Sequence, residues 1–419
     1  MESINKIKFT FYVVIFFFLV SSSVQAKIIS VGSNQIFHTI AQAVAASNNG
    51  DTILVGKGLY KEHNLIIDKE IVLKGIDLPV LDGEYKYEII SVKANNVIIT
   101  GFKIQRSGIS SIVDIAGIKI YNAHHVQIIN NIFDDTFFGI YSQHGVSCVI
   151  KNNVLTAHQT QEQRSGNGIH CWKSDSMQVI GNTVSGHRDG IYFEFVTNSL
   201  IWRNSSYKNL RYGLHFMFSN DDAYITNSFE NNGSGVSVMF SHGVRMFNNS
   251  FKENWGDAAY GILLKEISDG YIQGNHFDKN TSGIYMEGAS RITVTRNVFS
   301  NNGWALKIQA SCIDINLYQN NFIGNTFDVG TNGNLVLNKF NYNYWDKYDG
   351  YDLNKDKLGD VPYRPVSLYS MIIETNPPAI MLFRSLITTL MDKSEKVIPS
   401  LTPENLKDEH PLMKPYHYD

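Results

Sequence analysis

The sequence GLHFMFSNDDAYITNSFENNGS, residues 213–234, contains the pattern that decides the fold. It begins with a Gly followed by an aliphatic residue, and near its middle Asn227 precedes an apolar residue by two positions. The Gly signal returns about every 22 residues, with two longer intervals. The series consists of Gly117, Gly139, Gly168, Gly190, Gly213, Gly235, Gly261 and Gly283, and Ala305 continues it. Self-similarity at such a period indicates a solenoid, in which each unit stacks on the next.

Each unit is too short to hold a strand, a helix and a return strand. It contains short alternating runs separated by Asn and Gly turns, without helical periodicity. A leucine-rich repeat is the competing solenoid, but its leucine consensus is absent from these units. We therefore predict an all-β fold, a right-handed parallel β-helix over about residues 50–340. The two longer intervals predict loops at residues 156–167 and 253–260, where function tends to lie.

Both ends of such a solenoid need caps, because an open end exposes unpaired strand edges. Ile36, Ile40 and Val44 lie at helical spacing and predict an N-terminal capping helix. After Pro377 and Pro378 the character of the chain changes, and an amphipathic helix followed by an extended arm is expected. The predicted parts are a signal peptide (1–26), a β-helix domain (27–365) and a C-terminal tail (366–419).

The first 26 residues have the pattern of a secretory signal peptide. A weakly basic start precedes a twelve-residue apolar run, and small residues at Val24 and Ala26 end the segment. We therefore expect an exported protein. The net charge of −3 argues against a nucleic-acid partner. Three cysteines are too few for a disulfide framework, so either one pair forms or all three are small buried residues; the inward position of Cys171 favours burial.

The strand alternation sends the residues two and four positions after each Gly outward. These outward columns hold His215 and Met217, with Met239 one coil later and His170 and Trp172 two coils earlier. Two interpretations are open. Single exposed His and Met residues are ordinary on protein surfaces. Alternatively, the columns form an apolar, thioether-bearing strip that suits a partner protein or cuprous ion, a soft cation that Met and His hold.

An acidic loop at residues 352–360 has oxygen ligands at alternate spacing, as calcium loops do. The four residues are Asp352, Asn354, Asp356 and Asp360. However, Lys357 occupies the usual Gly position, and Tyr363 stands where a bidentate Glu is expected. A calcium site and a cap rich in Asx turns are therefore both open.

The repeats and both ends together resemble the NosD family, the exported accessory proteins of nitrous-oxide reductase maturation. The resemblance covers the mature chain. It is carried by GDTILVGKGLYKE (50–62), RDGIYFEFVTNS (188–199), RYGLHFMFSNDD (211–222), NYWDKYDGYDLNKDKLGDVPYRP (343–365) and the tail (377–415). The repeats alone are shared with many carbohydrate-binding and sugar-cleaving proteins, whereas the mid-helix strands and the tail are more specific.

The resemblance implies a periplasmic component of a copper-related ABC system. Such a protein sits on a membrane permease driven by a cytoplasmic ATPase, and helps to supply copper or otherwise assemble the copper-sulfide centre of nitrous-oxide reductase. A copper chaperone is a further implied partner. The resemblance favours cuprous ion at the outward strip.

The candidate copper residues are His170, His215, Met217, Met239, His410 and Met413. The resemblance also favours a docking role for residues 377–417, and the alternative is a tail that caps the β-helix. The candidate docking residues are Trp172, Ile380, Phe383, Leu386, Ile387 and Leu390.

A carbohydrate-active enzyme or a carbohydrate-binding protein on the same scaffold is the main alternative. A hydrolase needs two carboxylates facing one groove. The candidate carboxylates are the outward Glu194, Asp189 at a turn, and the pair Asp221 and Asp222. Glu194 has Trp172 and Met217 as column neighbours rather than a second acid, and the Asp pair follows a strand, where it serves equally well to cap a turn. The arginines near these strands belong to no visible cluster of acidic ligands; they are Arg188, Arg203 and Arg211. We therefore expect a protein that is not an enzyme.

Overall fold

The computed structural model describes residues 26–110, 112–333, 337–398, 402 and 406–417. The predicted signal peptide therefore lies outside the described residues, apart from Ala26. The described chain forms a right-handed parallel β-solenoid of about 14 turns, which confirms the predicted fold. Each turn passes through three parallel sheets, A, B and C, in that order. The solenoid begins at Ile28, earlier than the alternation in the sequence indicates, because the first strand pairs with the coil that follows it.

The three sheets run the length of the solenoid. Sheet A consists, within the described residues, of β1 (Ile28–Val31), β2 (Thr52–Val55), β5 (Val72–Gly75), β8 (Ile98–Thr100), β11 (Gln127–Ile129), β14 (Val149–Lys151), β17 (Gln178–Ile180), β20 (Leu200–Trp202), β23 (Ala223–Ile225), β26 (Arg245–Phe247), β29 (Tyr271–Gln273), β32 (Ser290–Thr295), β35 (Ile313–Tyr318) and β38 (Lys339–Asn341). Sheet B consists of β3 (Leu59–Tyr60), β6 (Val80–Asp82), β9 (Lys103–Gln105), β12 (Ile132–Asp134), β15 (Val154–Thr156), β18 (Thr183–Ser185), β21 (Ser205–Tyr207), β24 (Ser228–Glu230), β27 (Ser250–Lys252), β30 (His276–Asp278), β33 (Val298–Ser300), β36 (Asn321–Ile323) and β39 (Tyr344–Trp345). Sheet C consists of β4 (Leu65–Ile67), β7 (Ile90–Val92), β10 (Ala116–Tyr121), β13 (Phe138–Gln143), β16 (Ile169–Trp172), β19 (Asp189–Glu194), β22 (Tyr212–Met217), β25 (Ser234–Met239), β28 (Tyr260–Lys265), β31 (Ser282–Glu287), β34 (Trp304–Ile308) and β37 (Phe327–Gly330).

Side chains from all three sheets fill the interior. In the coil that contains the opening stretch, Leu214 and Phe216 from sheet C meet Tyr224 from sheet A and Phe229 from sheet B, and all four are fully buried. The residue two positions after the repeat Asn builds a continuous aromatic stack with ring centroids 4.0–5.5 Å apart. The stack consists of Phe229, Phe251, Phe277, Phe299, Phe322 and Trp345.

The repeat Gly is explained by close approach between coils. A Cβ on Gly213 would lie 2.7 Å from the carbonyl oxygen of Gly235 and 2.9 Å from Cδ1 of Phe229. Both distances are too short for ordinary contact, so a side chain at this position would push the coils apart.

The repeat Asn turns the corner between sheets A and B, and it is buried there. The Asn249 side-chain oxygen accepts hydrogen bonds from the backbone N–H (2.9 Å) and the side-chain amide (3.0 Å) of Asn227. Its own amide donates to the Tyr224 carbonyl (2.9 Å) and to Asn275 Oδ1 (3.0 Å). The ladder consists of Asn131, Asn153, Asn182, Asn204, Asn227, Asn249, Asn275, Asn297, Asn320 and Asn343. Each Asn therefore fixes the register of its coil against both neighbours.

The N-terminal cap is a shorter helix than the sequence pattern indicates. Helix α1 (Ile40–Ala46) begins at Ile40, where the Thr39 hydroxyl accepts from the Gln42 N–H at 3.3 Å. The Glu62 carboxylate accepts from the first two helical N–H groups at 2.6 and 2.7 Å. Ile36 lies before the helix and is 90% exposed, so its assignment to the apolar face was wrong.

Within the described residues, four long connections leave the corner between sheets B and C. Two are the insertions that the longer intervals predict; the others are residues 83–89 and the described residues from 106 to 115. The 3₁₀ turn Glu162–Arg164 lies in the insertion that follows β15. These loops therefore stand at the edge where the outer face of sheet C begins.

The tail returns to close the C-terminal end. Helix α2 (Leu368–Thr375) packs Tyr369 against Trp304 and Phe327 on the outside of sheet C, and Glu374 pairs with Lys307 at 2.7 Å. The 3₁₀ helix Pro377–Leu382 and helix α3 (Leu386–Val397) follow. The single predicted amphipathic helix is therefore broken, and Arg384 at the break has φ +60°.

The arm caps the last coil of the solenoid. Asp408 is buried and takes the next place in the Asn ladder: its Oδ2 accepts from the backbone N–H (2.9 Å) and side-chain amide (3.0 Å) of Asn343 and from Trp345 Nε1 (3.0 Å). Farther along, Tyr416 exchanges two hydrogen bonds of 2.8 Å with the Asn321 side chain. The position of the arm agrees with the interpretation that the tail caps the β-helix. Only the helical part of the tail is therefore available for docking.

The Asn ladder gives a first prediction. Asn249→Ala removes the acceptor of two Asn227 donors and the donor to Tyr224, leaving buried polar groups without partners. We expect a loss of ~3 kcal/mol or more in the free energy of unfolding, measured by chemical denaturation. Amide hydrogen exchange should accelerate in the two flanking coils. The matched control is Asn316→Ala, since the half-buried Asn316 makes one long side-chain hydrogen bond of 3.5 Å. If Asn316→Ala lowered the free energy of unfolding as much as Asn249→Ala, the ladder would have no special role.

Asp222 gives a second prediction. Its Oδ1 accepts from the Ser199 N–H at 2.8 Å, whereas its buried Oδ2 has no hydrogen-bond partner in the described chain. Burial raises the pKa of Asp222 to about 8. The folded protein therefore keeps a proton that the unfolded chain releases above about pH 4, so stability falls as the pH rises from about 4 to 8.

Asp222→Asn should remove that pH dependence and stabilise the fold by on the order of 3 kcal/mol at pH 7, measured as denaturation midpoints from pH 4 to 9. Asp221→Asn, at the exposed neighbouring carboxylate, is the control. Parallel pH profiles of the wild type and Asp222→Asn would contradict the assignment.

Candidate functional site

The outer face of sheet C carries the residue types that the sequence singles out. Three columns point outward, at the positions one before, two after and four after the repeat Gly. Strand pairing places His170, Tyr192, His215 and Ser237 in successive coils of the middle column. It places Trp172, Glu194, Met217 and Met239 in the next column. The predicted adjacency of His215, Met217 and Met239 is therefore present.

The middle column is a stack of aromatic and imidazole rings. Tyr141, His170, Tyr192 and His215 follow one another with ring centroids 4.6, 4.7 and 4.6 Å apart. The two histidines are only 6% and 5% exposed. The ring column of the strip is therefore buried, in contrast to the exposed surface that the sequence suggests.

Asp189 is the charged centre of this face; the sequence places it at a turn but does not reveal its pairing with Arg211 and His215. Its carboxylate is fully buried and receives Arg211 Nε on Oδ1 at 2.8 Å and the second Arg211 nitrogen on Oδ2 at 2.5 Å. His215 Nδ1 lies 3.4 Å from the same Oδ2. Burial alone would raise the pKa of Asp189, but Arg211 and His215 lower it to about 2. Asp189 is therefore ionised at any physiological pH.

This carboxylate orients His215. A negative charge beside Nδ1 favours the tautomer with its proton on Nδ1, which leaves a lone pair on Nε2. Both ring nitrogens of His215 are buried and neither meets hydrogen-bond geometry with a described residue, so the approach of Nδ1 to Asp189 is an ion-pair contact and Nε2 has no partner. Met217 follows on the same strand and face, and Met239 is its partner in the next coil. A carboxylate–histidine pair with an open ring nitrogen is the arrangement that metal-binding histidines adopt.

Tyr192 links the ring column to the thioether column. Its hydroxyl donates a hydrogen bond of 3.6 Å to Met217 Sδ. The Tyr192 ring stacks on the His215 ring with an interplanar angle of 18°. The Met217 sulfur and the His215 ring are thus both held by one neighbouring side chain.

His170 cannot share an ion with His215. Tyr192 lies between them, and the two centroid separations of 4.7 and 4.6 Å put the imidazoles about two coils apart. Burial, with help from the charge of Arg188, lowers the pKa of His170 to about 3, so its ring is neutral at pH 7. Its Nε2 lies 3.9 Å from Glu194. No group of three or more His, Cys, Asp or Glu residues close enough to hold a metal ion occurs in the described part of the chain.

His410 and Met413 lie on the arm, at the far end of the solenoid. His410 Nδ1 is 3.0 Å from Asn341 Oδ1, and its ring stacks on Tyr342 at 5.4 Å. The arm closes the last coil, five sheet C strands beyond β22, which corresponds to ~24 Å along the axis. The structure therefore does not bring these two residues to His215, and a copper role for them would concern a separate ion.

The oxygens of the acidic loop are directed at the loop's own backbone. Asp352 accepts from the N–H groups of Asp356 (3.2 Å) and Lys357 (2.9 Å). Asp356 accepts from the Leu358 N–H at 2.8 Å, and Asp360 from the Leu353 N–H at 2.6 Å. Asn354 accepts from the Asp356 N–H at 3.0 Å. These hydrogen bonds form a cap rich in Asx turns, which is one of the two interpretations of this loop. Calcium binding stays a prediction, and the geometry does not support it.

The candidate docking residues of the tail are exposed, and together with Met381 and Leu382 they are named the apolar platform. It consists of Ile380, Met381, Leu382, Phe383, Leu386, Ile387 and Leu390, and its exposed fractions range from 40% for Leu382 to 88% for Met381. Trp172 is not part of it: the ring is half-buried on sheet C, 4.6 Å beneath the Lys173 ammonium group. No helix among the described residues is long and apolar enough to cross a membrane.

The candidate carboxylates near these strands do not form the pair that a hydrolase needs. Asp189 is held ionised by Arg211, so it cannot serve as a general acid at neutral pH. Asp222 is buried beneath sheet A, whereas Asp221 is exposed beside His242 at 4.0 Å. The Asp189–Arg211 pair spans adjacent coils; its signal in the sequence is an acid just before one repeat Gly and an Arg two before the next.

Two family models match the chain. One, described as "Periplasmic copper-binding protein (NosD)", matches residues 156–350, and one described as "Right handed beta helix region" matches residues 19–184. The "Probable ABC transporter binding protein NosD" of Pseudomonas aeruginosa is 25% identical over 374 residues, or 84% of this chain and 86% of that protein. The protein of the same name from Stutzerimonas stutzeri is 26% identical over 180 residues, or 38% of this chain and 40% of that protein.

Solved structures share the fold at low identity. The surface adhesin PfbA of Streptococcus pneumoniae has a TM-score of 0.52 and 11% identity, over 70% of this chain and 87% of that chain. A variant of the periplasmic alginate epimerase AlgG has a TM-score of 0.51 and 19% identity, over 65% of this chain and 77% of that chain. At such identities the likeness shows the β-helix alone. The Pseudomonas aeruginosa relative goes further, since it matches 84% of this chain and bears the name of an ABC transporter binding protein. Together with the copper-binding family model, it supports the NosD family for this chain.

Proposed function

We propose that the protein is a periplasmic accessory component of a copper-related ABC transporter. In this role it holds cuprous ion on the outer face of sheet C and aids assembly of the copper-sulfide centre of nitrous-oxide reductase. One observation carries the proposal: His215, held next to the Asp189 carboxylate, shares an outward face with Met217, and Met217 pairs with Met239 in the next coil. Imidazole with thioethers is a ligand set that suits cuprous ion and discriminates against hard cations.

The chemistry that this site can perform is binding and release of a soft cation. His215 supplies an imidazole nitrogen, and Asp189 holds its ring in position while Arg211 fixes the carboxylate. The two methionines supply polarisable sulfurs on flexible side chains, which can approach or leave the ion with little rearrangement of the strands. A site of three such ligands suits cargo that must be passed on, in keeping with a metallochaperone-like role in denitrification.

The family resemblance and the names of the relatives support the further partners. We infer that the apolar platform contacts the permease, whose ATPase lies on the cytoplasmic side, and that a copper chaperone and nitrous-oxide reductase are the donor and the acceptor of the ion. The platform supports docking because it exposes seven large apolar side chains that no described segment covers. Contiguous exposed apolar patches of this kind mark interaction sites.

Copper binding is tested by competition with a chromophoric cuprous chelator under reducing conditions. The double variant Met217→Ala, Met239→Ala should bind cuprous ion at least ~100-fold more weakly than the wild type, because two of the three soft ligands are gone. Asp189→Asn should weaken binding ~10- to 100-fold through loss of the oriented imidazole. The control is Met381→Ala on the platform. Equal affinity of the wild type and the double variant would exclude this site.

Docking is tested with substitutions that leave the solenoid and its cap in place. Leu386→Ser combined with Leu390→Ser should reduce co-purification with the permease and ATPase in detergent by ~10-fold or more, because both side chains are exposed on helix α3. The thermal midpoint should stay within a few degrees of the wild type. Leu353→Ser, at an exposed Leu of the acidic loop, is the matched control. Undiminished co-purification of the double variant would show that the platform does not bind the permease.

A further inference from the structure

Three phenylalanines form an exposed ladder at the corner where sheet C turns into sheet A. Phe195, Phe218 and Phe240 each follow directly on a sheet C strand. Their rings are parallel within 7° and 16°, with centroids 5.1 Å apart. They are 38–44% exposed, in contrast to the buried Phe stack of the interior.

The fold does not require aromatic residues at this corner. All three have φ of 52–54°, the left-handed conformation, which is unfavourable for a residue with a Cβ by roughly 1–2 kcal/mol. The same corner of other coils takes Asn122, Lys173, Glu266 and Gly288, all at φ 47–63°. The backbone bonds are also made without the rings, since the Phe195 and Phe218 N–H groups donate to the next coil at 3.0 and 3.1 Å. Phe occupies this corner in three consecutive coils although the backbone does not favour it. The rings therefore indicate a function of the surface, such as binding.

The geometry of the rings narrows what that property is. Both faces of the middle ring, Phe218, are occupied by its neighbours, so a flat sugar ring could stack only on the outer faces of the two end rings and not along the strip. What remains exposed is a narrow apolar strip, which suits the apolar side chains of another protein. Its exposed ring area is on the order of 250 Å². A stable interface buries ~800 Å² on each partner, so the strip fits a transient partner better than a permanent dimer.

The position of the strip indicates which partner. Phe218 and Phe240 are the residues directly after Met217 and Met239, so the strip borders the thioether column along its length. A protein that takes cuprous ion from those sulfurs by ligand exchange must bring its own ligands within bonding distance. Its surface must then contact the neighbouring strip.

We propose that Phe195, Phe218 and Phe240 form the docking strip for the protein that accepts cuprous ion from Met217 and Met239. The proposal rests on the proposed function, and its partner is a folded apo-protein that carries copper ligands of its own. The strip aligns the two ligand sets and releases the partner after transfer, in keeping with its small area.

The test replaces all three residues by Asn, which the left-handed corner favours: Phe195→Asn, Phe218→Asn and Phe240→Asn. The thermal midpoint should be unchanged or higher, and the cuprous affinity measured with the chelator should stay within about twofold. Transfer of cuprous ion from the loaded protein to apo nitrous-oxide reductase should slow by ~10-fold or more, whereas transfer to the chelator should not change. The control is Arg203→Asn with Thr226→Asn, at left-handed positions of the corner between sheets A and B.

Transfer to the reductase at the wild-type rate would overturn the proposal. Binding of the metal-free protein to immobilised apo reductase is measured in parallel. This measurement tests whether the strip binds the reductase even if the protein binds no copper. Loss of this binding in the triple variant supports the strip, and retention contradicts it. Absence of copper binding in the wild type counts against the proposed function alone. Flotation of the wild type, but not the triple variant, with phosphatidylglycerol-containing vesicles would identify a lipid contact and overturn the proposal.

Discussion

The contact between successive coils is the constraint on which the rest of this molecule depends. The Asn ladder ties each corner to the corners on both sides, and every Asn is at once donor and acceptor. Because these bonds fix the register, equivalent residues of neighbouring coils lie one above another for the length of the solenoid. The columns on the outer faces follow from this: a residue enters the candidate site through its place in the repeat, and its neighbours are given by the residues about 22 positions away.

The same constraint explains why the ends and the corners are treated differently. The last Asn needs an acceptor beyond it, and Asp408 of the arm supplies one together with a bond to Trp345. Burial raises the pKa of this carboxyl, so the cap uses a group that carries some electrostatic cost. A corner where loops leave can instead grow outward without disturbing the interior. That is why these longer connections stand at the corner between sheets B and C, beside the outer face of sheet C.

Much of the fold and part of the site could be predicted from the sequence, and the reason is periodicity. Strict alternation places Met217 and Met239 in one column, and the 22-residue period places them in adjacent coils. The burial of His215 and the ion pair of Asp189 with Arg211 could not be read this way. The burial of His215 depends on how its ring packs against the Tyr192 and Tyr212 rings, and the ion pair depends on the direction that a long Arg side chain takes from a corner. The break at Arg384 is similar, since the apolar pattern of the tail continues across it.

The electrostatic arrangement of the outer face separates two histidines that the sequence treats alike. His170 has its pKa lowered by burial and by the nearby Arg188, so its ring stays neutral and its contact with Glu194 is long. His215 has an ionised carboxylate at Nδ1, and that carboxylate is held by its own bidentate Arg. A ring nitrogen becomes a dependable ligand when its partner nitrogen is engaged and its tautomer is set. Of the two positions in this ring column, only that of His215 meets the condition while also adjoining thioether sulfurs.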